Sequence, residues 1–482
     1  MIACVWLTVS ALVAITVFTA VAGLVDVMAL AWGAAVIAVG ITAAVMGRRR
    51  EALRAAIVGV PRPFRYLFIT GSALLLVQLI PIAVFIVNPN AGVWLARPWR
   101  PWQSAHSCVS SYWFAATNVH RTGDIYADSL YSLPQADPAS RRQPRQLGPF
   151  NLDVYEYPPT FLPLPRAMAV AAPDFWQFRR LWFALNLGIV ALFVVAIARR
   201  VDGTFGTHAV WLTPWVLASP AIVGTLQIGN GQLLFIAASV GAMWLFERRR
   251  DALGGALLAY SIVSKLFPGV LFLYLVIRRD WRAAAWTCGW ALFFLAVSVA
   301  DVGLAPFAAF LDHVPKLLSG EAFPAFRNPV AIGINESVPG LVFKVGVIGG
   351  PRLGFDEARI VGWIYTVFLI GATYWAASGR IPERYAPFVW IALAMLATMR
   401  SPFLPAYAGF PTLWLATLMA AVWWTRPRLR TAVMASWVLL AVNFGQGFAP
   451  PAVNSVWTFV HTVVAFAVVA TALRMAAAAR RE

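Results

Sequence analysis

Leu181 to Arg200 reads LWFALNLGIVALFVVAIARR, eighteen residues without a charge closed by two arginines. As a helix this run is about 27 Å long at 1.5 Å per residue, close to the thickness of a bilayer's hydrocarbon core. Similar runs recur from Ile2 almost to the C-terminus. The chain of 482 residues is 60% hydrophobic and only 12% charged, and its mean hydropathy is +0.72. That leaves too little polar surface to clothe a soluble globule of this size, so the sequence specifies an all-α, polytopic transmembrane bundle of roughly 11–14 membrane helices.

The formal charge of +18 does not point to nucleic acid. The basic residues sit in short clusters between apolar spans, as orientation signals do, rather than along one polar face. Placing Arg48, Arg49, Arg50, Arg54, Arg62 and Arg65 inside makes Ile2–Gly23 and Met28–Met46 an out-and-back pair with Asp26 in its outer turn. The run from Ile2 lacks a basic leader and a small-residue cleavage site, so it reads as a retained span. Tyr66–Val87 leads outward to the large hydrophilic segment 88–170. Later spans return to Arg199 and Arg200, to Arg248–Arg250, to Arg380 and Arg384, to Arg426–Arg430, and finally to Arg474, Arg480 and Arg481. A second outer loop covers 304–357. The division expected is an N-terminal helix pair, 1–47, ahead of a core domain, 66–478.

Ala252–Ile277 is bracketed by Arg248–Arg250 before it and Arg278, Arg279 and Arg282 after it. A single crossing would put one cluster outside, whereas two half-helices meeting near Lys265, Phe267 and Pro268 keep both inside. Irregular backbone at that depth requires surrounding protein or a water-filled cavity. Lys265 within this run costs roughly 2.5–3.5 kcal/mol to insert, which marks it as a functional group; an anionic phosphate would pair it.

Asp153-Val154-Tyr155-Glu156-Tyr157-Pro158-Pro159-Thr160 ends the large loop. Tandem prolines fix two φ angles and remove two donors, so the segment is a stiff corner rather than helix, a suitable mount for Asp153, Glu156 and the tyrosines. Three other polar strings fall on the same side: Gln227-Ile228-Gly229-Asn230-Gly231-Gln232, Asn335-Glu336-Ser337-Val338-Pro339-Gly340, and Arg400-Ser401-Pro402. Cys4, Cys108 and Cys288 are widely separated, and His106, His120, His208, His313 and His461 show no zinc-ligand spacing, so neither a disulfide framework nor a metal or other cofactor is indicated. The absence of a P-loop argues against a nucleotide-driven pump.

In their order and spacing these strings resemble glycosyltransferase family 87, polyprenyl-phosphate-sugar-dependent enzymes of GT-C membrane architecture. The matching positions are Tyr112 with Ala115 and Ala116, Gly123-Asp124-Ile125-Tyr126, Tyr157-Pro158-Pro159, Gly231-Gln232, Gly254-Gly255 leading to Lys265 and Pro268, Asn335-Glu336-Ser337 with Pro339-Gly340, and Ser401-Pro402. One departure stands out: four residues ahead of the Tyr112 position the family carries an aspartate thought to act as base, and this chain has Cys108.

The resemblance implies transfer of a sugar, mannose or another hexose or arabinofuranose, from a polyprenyl-phosphate carrier to a cell-envelope glycan or glycolipid on the outer face. Candidate bases are Asp153, Glu156, Asp124 and Asp128, in that order; candidate donor or phosphate contacts are Lys265, Arg400, Tyr157, Gln232, Asn230 and Glu336. The expected partners are the lipid-linked donor, the acceptor and the bilayer, with no nucleic acid. An Arg- and Ala-rich, Lys-poor composition suits a bacterial cytoplasmic membrane. A catalytically inactive relative and a lipid or sugar transporter are the rival readings; the long outer loop with its acidic corner favours the transferase, because transporters keep their charged groups near the midplane.

Overall fold

The computed structural model describes residues 1–90, 105–134, 143–201, 209–405, 409–441 and 449–479. The N-terminal region contains α1 (Ile2–Val25), α2 (Met28–Arg48), α3 (Arg50–Val58) and α4 (Arg62–Val87). The first large loop carries α5 (Cys108–Thr122), a two-stranded hairpin of β1 (Gln146–Leu147) and β2 (Phe150–Asn151), and α6 (Pro163–Ala171). Then follow α7 (Phe175–Val201), α8 (Thr213–Leu217), α9 (Pro220–Ile228), α10 (Gln232–Glu247), α11 (Asp251–Ser264), α12 (Gly269–Ile277) and α13 (Trp281–Val302). The second loop holds α14 (Ala305–Ser319), α15 (Pro329–Gly333) and α16 (Leu341–Val347); α17 (Phe355–Ala377), α18 (Ala386–Thr398), α19 (Phe410–Val422), α20 (Pro427–Ala441) and α21 (Pro451–Ala478) complete the bundle.

The protein is a polytopic all-α membrane protein. Among the described residues, seven helices (α1, α2, α4, α7, α13, α17 and α21) are long and apolar enough to cross a membrane, or eight if the pair Ala209–Leu217 and Pro220–Ile228, bent by 46°, is one span. The other apolar runs behind the roughly 11–14 membrane helices expected form shorter helices, among them Gln232–Glu247, Asp251–Ser264 and Phe410–Val422. Every residue of α18 is buried, as is all of α19 except Val422. A helix enclosed by other helices has no lipid contact to match, so thirteen residues, about 20 Å at 1.5 Å per residue, suffice. By contrast α2, which packs mainly on α1, exposes Trp32, Val36, Ile37 and Ile41, as a lipid-facing peripheral helix does.

The 251–282 segment folds back on itself. α11 stops at Ser264, the backbone is irregular through Lys265 to Pro268, and α12 starts at Gly269. Arg282 Nε then lies 2.6 Å from Asp251 Oδ2, so the two ends of the hairpin meet at one face. On that face Arg200 joins Glu247 (3.1 Å) and Glu383 (2.8 Å), and Arg278 donates to the Gly379 carbonyl. These contacts gather the basic clusters on one side, leaving Lys265 directed at the other.

At that other side two adjacent arginines of α7 close the end of α4. Arg179, fully buried, donates to the carbonyls of Phe85 and Ile86 and lies over the Phe85 and Phe150 rings. Arg180 donates to the carbonyls of Ala22 and Val87 and to Asp26, 2.5 Å away. Helix C-terminal carbonyls have no partner within their own helix, and cations there also oppose the helix dipole. The pair thus ties α1, α4 and α7 together beneath the first large loop.

Candidate functional site

The acidic corner is built by its own prolines and a cluster of tyrosines. Residues 152–158 form neither helix nor strand and bend at Tyr157, and a short helical turn starts at Pro159. Tyr126 Oη donates to the Tyr157 carbonyl (2.8 Å), Tyr155 Oη to the Pro158 carbonyl (3.1 Å) and Tyr131 Oη to the Ile125 carbonyl (2.6 Å). Thr160 Oγ1 donates to the Val263 carbonyl and Tyr260 Oη to the Phe161 carbonyl, which locks the corner against the last turn of α11. With the carbonyls of both segments satisfied by hydroxyls, an irregular backbone can be buried here without orphaned polar groups.

That lock brings Lys265 to Tyr157. The ammonium lies 3.4 Å from Tyr157 Oη and 5.0 Å from the ring centroid. Tyr112 Oη donates to Tyr157 Oη at 2.7 Å and accepts from the Gly231 N–H at 3.2 Å, so a hydrogen-bonded line runs from the Gly229–Gly231 turn through two phenols to the lysine. The turn demands glycine: Gly229 has φ +72°, and a Cβ there would sit 2.0 Å from Val109 Cγ2, too close for any other residue. Its carbonyl accepts from Trp182 Nε1, and Asn230 donates its amide to Cys108 Sγ at 3.3 Å.

The Asn335 string does not reach the chemistry directly; it holds the 400–404 segment that does. Asn335 Oδ1 accepts from the Ser337 and Leu404 N–H groups and its amide donates to the Pro402 carbonyl, which also accepts from Ser337 Oγ. Arg400, at the end of α18, donates through Nε to Thr366 Oγ1 at 2.6 Å. Gly362 leaves room for it, since a Cβ would lie 3.0 Å from the guanidinium.

These segments enclose a cavity of about 700 Å³. Its wall includes Asp153, Glu156, Tyr157, Asn230, Gln232, Lys265 and Arg400, seven of the residues singled out from the sequence. Asp124, Asp128 and Glu336 are not among the lining residues. Asp124 caps its own turn by accepting from the Tyr126 N–H, Asp128 accepts from Ser132 Oγ, and Glu336 is buried against His461 Nδ1 at 3.0 Å. The same cavity is also lined by apolar side chains of three helices: Phe310, Leu317 and Leu318 of α14, Leu273 of α12, and Leu369 and Ile370 of α17. Helix α14 exposes Leu311, and Leu304 just before it is exposed too, as in a helix lying on a membrane interface.

Two further lining residues bear on Asp153 although neither was among the sequence-based candidates. His106 and Cys108 flank the start of α5, and His106 Nδ1 lies 3.2 Å from Asp153 Oδ1 while Cys108 Sγ lies 3.5 Å from His106 Nε2. Burial by itself would lower the His106 pKa; the Asp153 carboxylate and then Cys108 outweigh it and hold the imidazole well above its usual range. Asp153 is placed by its backbone, whose N–H donates to Ser110 Oγ at 3.0 Å. Linear spacing hid the cluster, because His106 and Cys108 meet Asp153 only across the loop.

The model of glycosyltransferase family 87 matches residues 155–402, just over half of the chain. The chain belongs to glycosyltransferase family 87. The match begins at Tyr155 and takes in the Tyr-Pro-Pro corner, Lys265 and Arg400; His106, Cys108 and Asp153 precede it. The chain is also similar to GPI mannosyltransferase 1 of Emericella nidulans (strain FGSC A4), 26% identical over 169 residues, which cover 35% of this chain and 34% of the relative. The similarity thus spans about a third of that protein's length. No solved structure matches.

Proposed function

We propose that this family 87 protein transfers one sugar, mannose or another hexose or arabinofuranose, from a polyprenyl-phosphate carrier to a cell-envelope glycan or glycolipid acceptor, at the outer face of a bacterial cytoplasmic membrane. The observation that carries the reading is the mixed lining of one cavity, which holds carboxylates and cations together with Leu, Ile and Phe side chains. A lipid-linked sugar phosphate combines the same two characters, a polar reacting centre joined to a long apolar tail. Residues 66–478 form the transferase domain in this reading and 1–47 an added helix pair.

The chemistry uses the chain's own groups. Asp153 or Glu156 accepts the proton of the acceptor hydroxyl; the hydroxyl oxygen bonds to the sugar's anomeric carbon as the bond from that carbon to the phosphate oxygen breaks. The electron pair leaves on the polyprenyl phosphate, whose growing charge Lys265 and Arg400 stabilise. A positioned base contributes about 10²–10⁴-fold, and preorganised cations in a site screened from water add a comparable factor. Tyr157 supports Lys265 in this scheme, while Asn230 and Gln232 present polar groups to the sugar.

The test is transfer of radiolabelled sugar from polyprenyl-phosphate-mannose and polyprenyl-phosphate-arabinose to membrane acceptors by the purified protein. Product from either donor supports the proposal. Failure with both across a broad acceptor panel, in protein that still binds the donor, overturns it.

A further inference from the structure

We propose that His106, Cys108 and Asp153 bind one zinc-type divalent ion at the wall of the cavity. One ligand atom from each, an imidazole nitrogen, the thiol sulfur and a carboxylate oxygen, lie within 4.8 Å of one another. The individual edges are 3.2 Å from His106 Nδ1 to Asp153 Oδ1 and 3.5 Å from His106 Nε2 to Cys108 Sγ. A tetrahedral ion with bonds of about 2.0–2.1 Å to nitrogen and oxygen and about 2.3 Å to sulfur separates its ligand atoms by roughly 3.3–3.6 Å. These two edges have the size of a coordination shell. Because they involve opposite ring nitrogens, binding the ion requires the His106 ring to turn about χ2, a broad torsion, and the three ligand atoms to draw together from their spread of up to 4.8 Å.

The donor set selects the metal. One thiolate and one imidazole suit zinc, and cobalt as its spectroscopic substitute, over magnesium or calcium, which take oxygen ligands. The surroundings are also organised: Ser110 holds the Asp153 backbone, and the Asn230 amide donates to Cys108 Sγ, the kind of outer contact that orients a metal ligand. All three side chains face the cavity, and three protein ligands leave a fourth position open toward it, as catalytic zinc sites do. Resting on the transferase reading, that position would take the acceptor hydroxyl. Asp153 is then a ligand, and Glu156 is the carboxylate that receives the hydroxyl proton as the oxygen bonds to the anomeric carbon.

The experiment is a cobalt titration of the full chain, purified in detergent without a histidine tag and stripped with a chelator. The expected result is one equivalent of Co²⁺ bound, with a thiolate-to-cobalt charge-transfer band that zinc displaces. The band is expected to persist in a Cys4→Ser, Cys288→Ser double variant and to vanish in Cys108→Ser. Zinc should raise the thermal midpoint of the wild type and leave that of His106→Gln unmoved, which keeps the test informative if one variant folds poorly. No charge-transfer band in the wild type, or a band that survives Cys108→Ser, overturns the site. This readout needs no sugar transfer, so a bound ion in a protein without transfer would count against the transferase reading alone.

Discussion

Lys265→Met separates a catalytic role for the lysine from a structural one. The ammonium makes one long hydrogen bond to Tyr157 Oη, 3.4 Å, and one contact with the Tyr157 ring at 5.0 Å. Each is worth about 0.5–1 kcal/mol, and methionine fills nearly the same volume without a charge to bury. Folding stability should change by no more than about 1–2 kcal/mol. If the ammonium holds the leaving phosphate, its loss removes about 2.7–4 kcal/mol of transition-state stabilisation, a fall in kcat of about 10²–10³-fold. The assay is the initial rate of sugar transfer at saturating donor, alongside a thermal unfolding curve. A Lys265→Met protein that unfolds near the wild-type temperature yet keeps more than about a tenth of wild-type kcat would refute the phosphate role, since a tenfold effect is only about 1.4 kcal/mol.

With Asp153 taken as the metal ligand, Glu156 is the base, and Glu156→Gln should lower kcat by about 10²–10⁴-fold while donor binding, followed by competition with polyprenyl phosphate, stays within about threefold. Gly229→Ala puts a Cβ against Val109 in left-handed backbone and should cost about 2–4 kcal/mol, read as a lowered thermal midpoint; Gly33→Ala, where the Cβ meets nothing within 4 Å, is the control and should not destabilise. Asn335→Leu leaves the Ser337 and Leu404 N–H groups without their acceptor, at about 1–3 kcal/mol each, and should raise the donor KM by loosening the segment that follows Arg400. Arg180→Met breaks the link from α7 to Asp26 and to the ends of α1 and α4; a loss of about 1–3 kcal/mol in thermal stability is expected, with kcat unchanged.

Much of this molecule was legible from residue types alone, where one physical rule dominates. Apolar length and arginine clusters identify a polytopic bundle because lipid penalises charge and unpaired backbone. Lys265 stood out for the same reason, and its position at the break of a hairpin whose ends meet at Arg282 and Asp251 accords with basic residues on both flanks. Helices α18 and α19 were harder to read: their apolar runs look like lipid-facing spans, yet they are enclosed by neighbours and short. Hydropathy does not distinguish protein from lipid as the apolar partner.

The candidate site divides along similar lines. Asp153, Glu156, Tyr157, Lys265 and Arg400 reach one cavity because a proline corner and a half-helix break are local signals. Glu336 belongs to an equally local polar string, but pairing with His461, 125 residues away, turns it from the cavity. The His106, Cys108 and Asp153 cluster was hidden for the converse reason: histidine and cysteine two residues apart look ordinary until the fold brings an aspartate against the histidine. Chain spacing reports only ligands that share a turn or a helix.

The most direct test of the account is the stoichiometry of the reaction in reconstituted vesicles. Glycosylated acceptor and released polyprenyl phosphate are to be counted together by mass spectrometry for the wild type, Glu156→Gln and Lys265→Met. One polyprenyl phosphate released per sugar transferred, with both products falling together at least about a hundredfold in each variant, is the expected result. Acceptor glycosylation without release of polyprenyl phosphate, or release that neither substitution affects, would contradict the assignment of this cavity as the site of transfer.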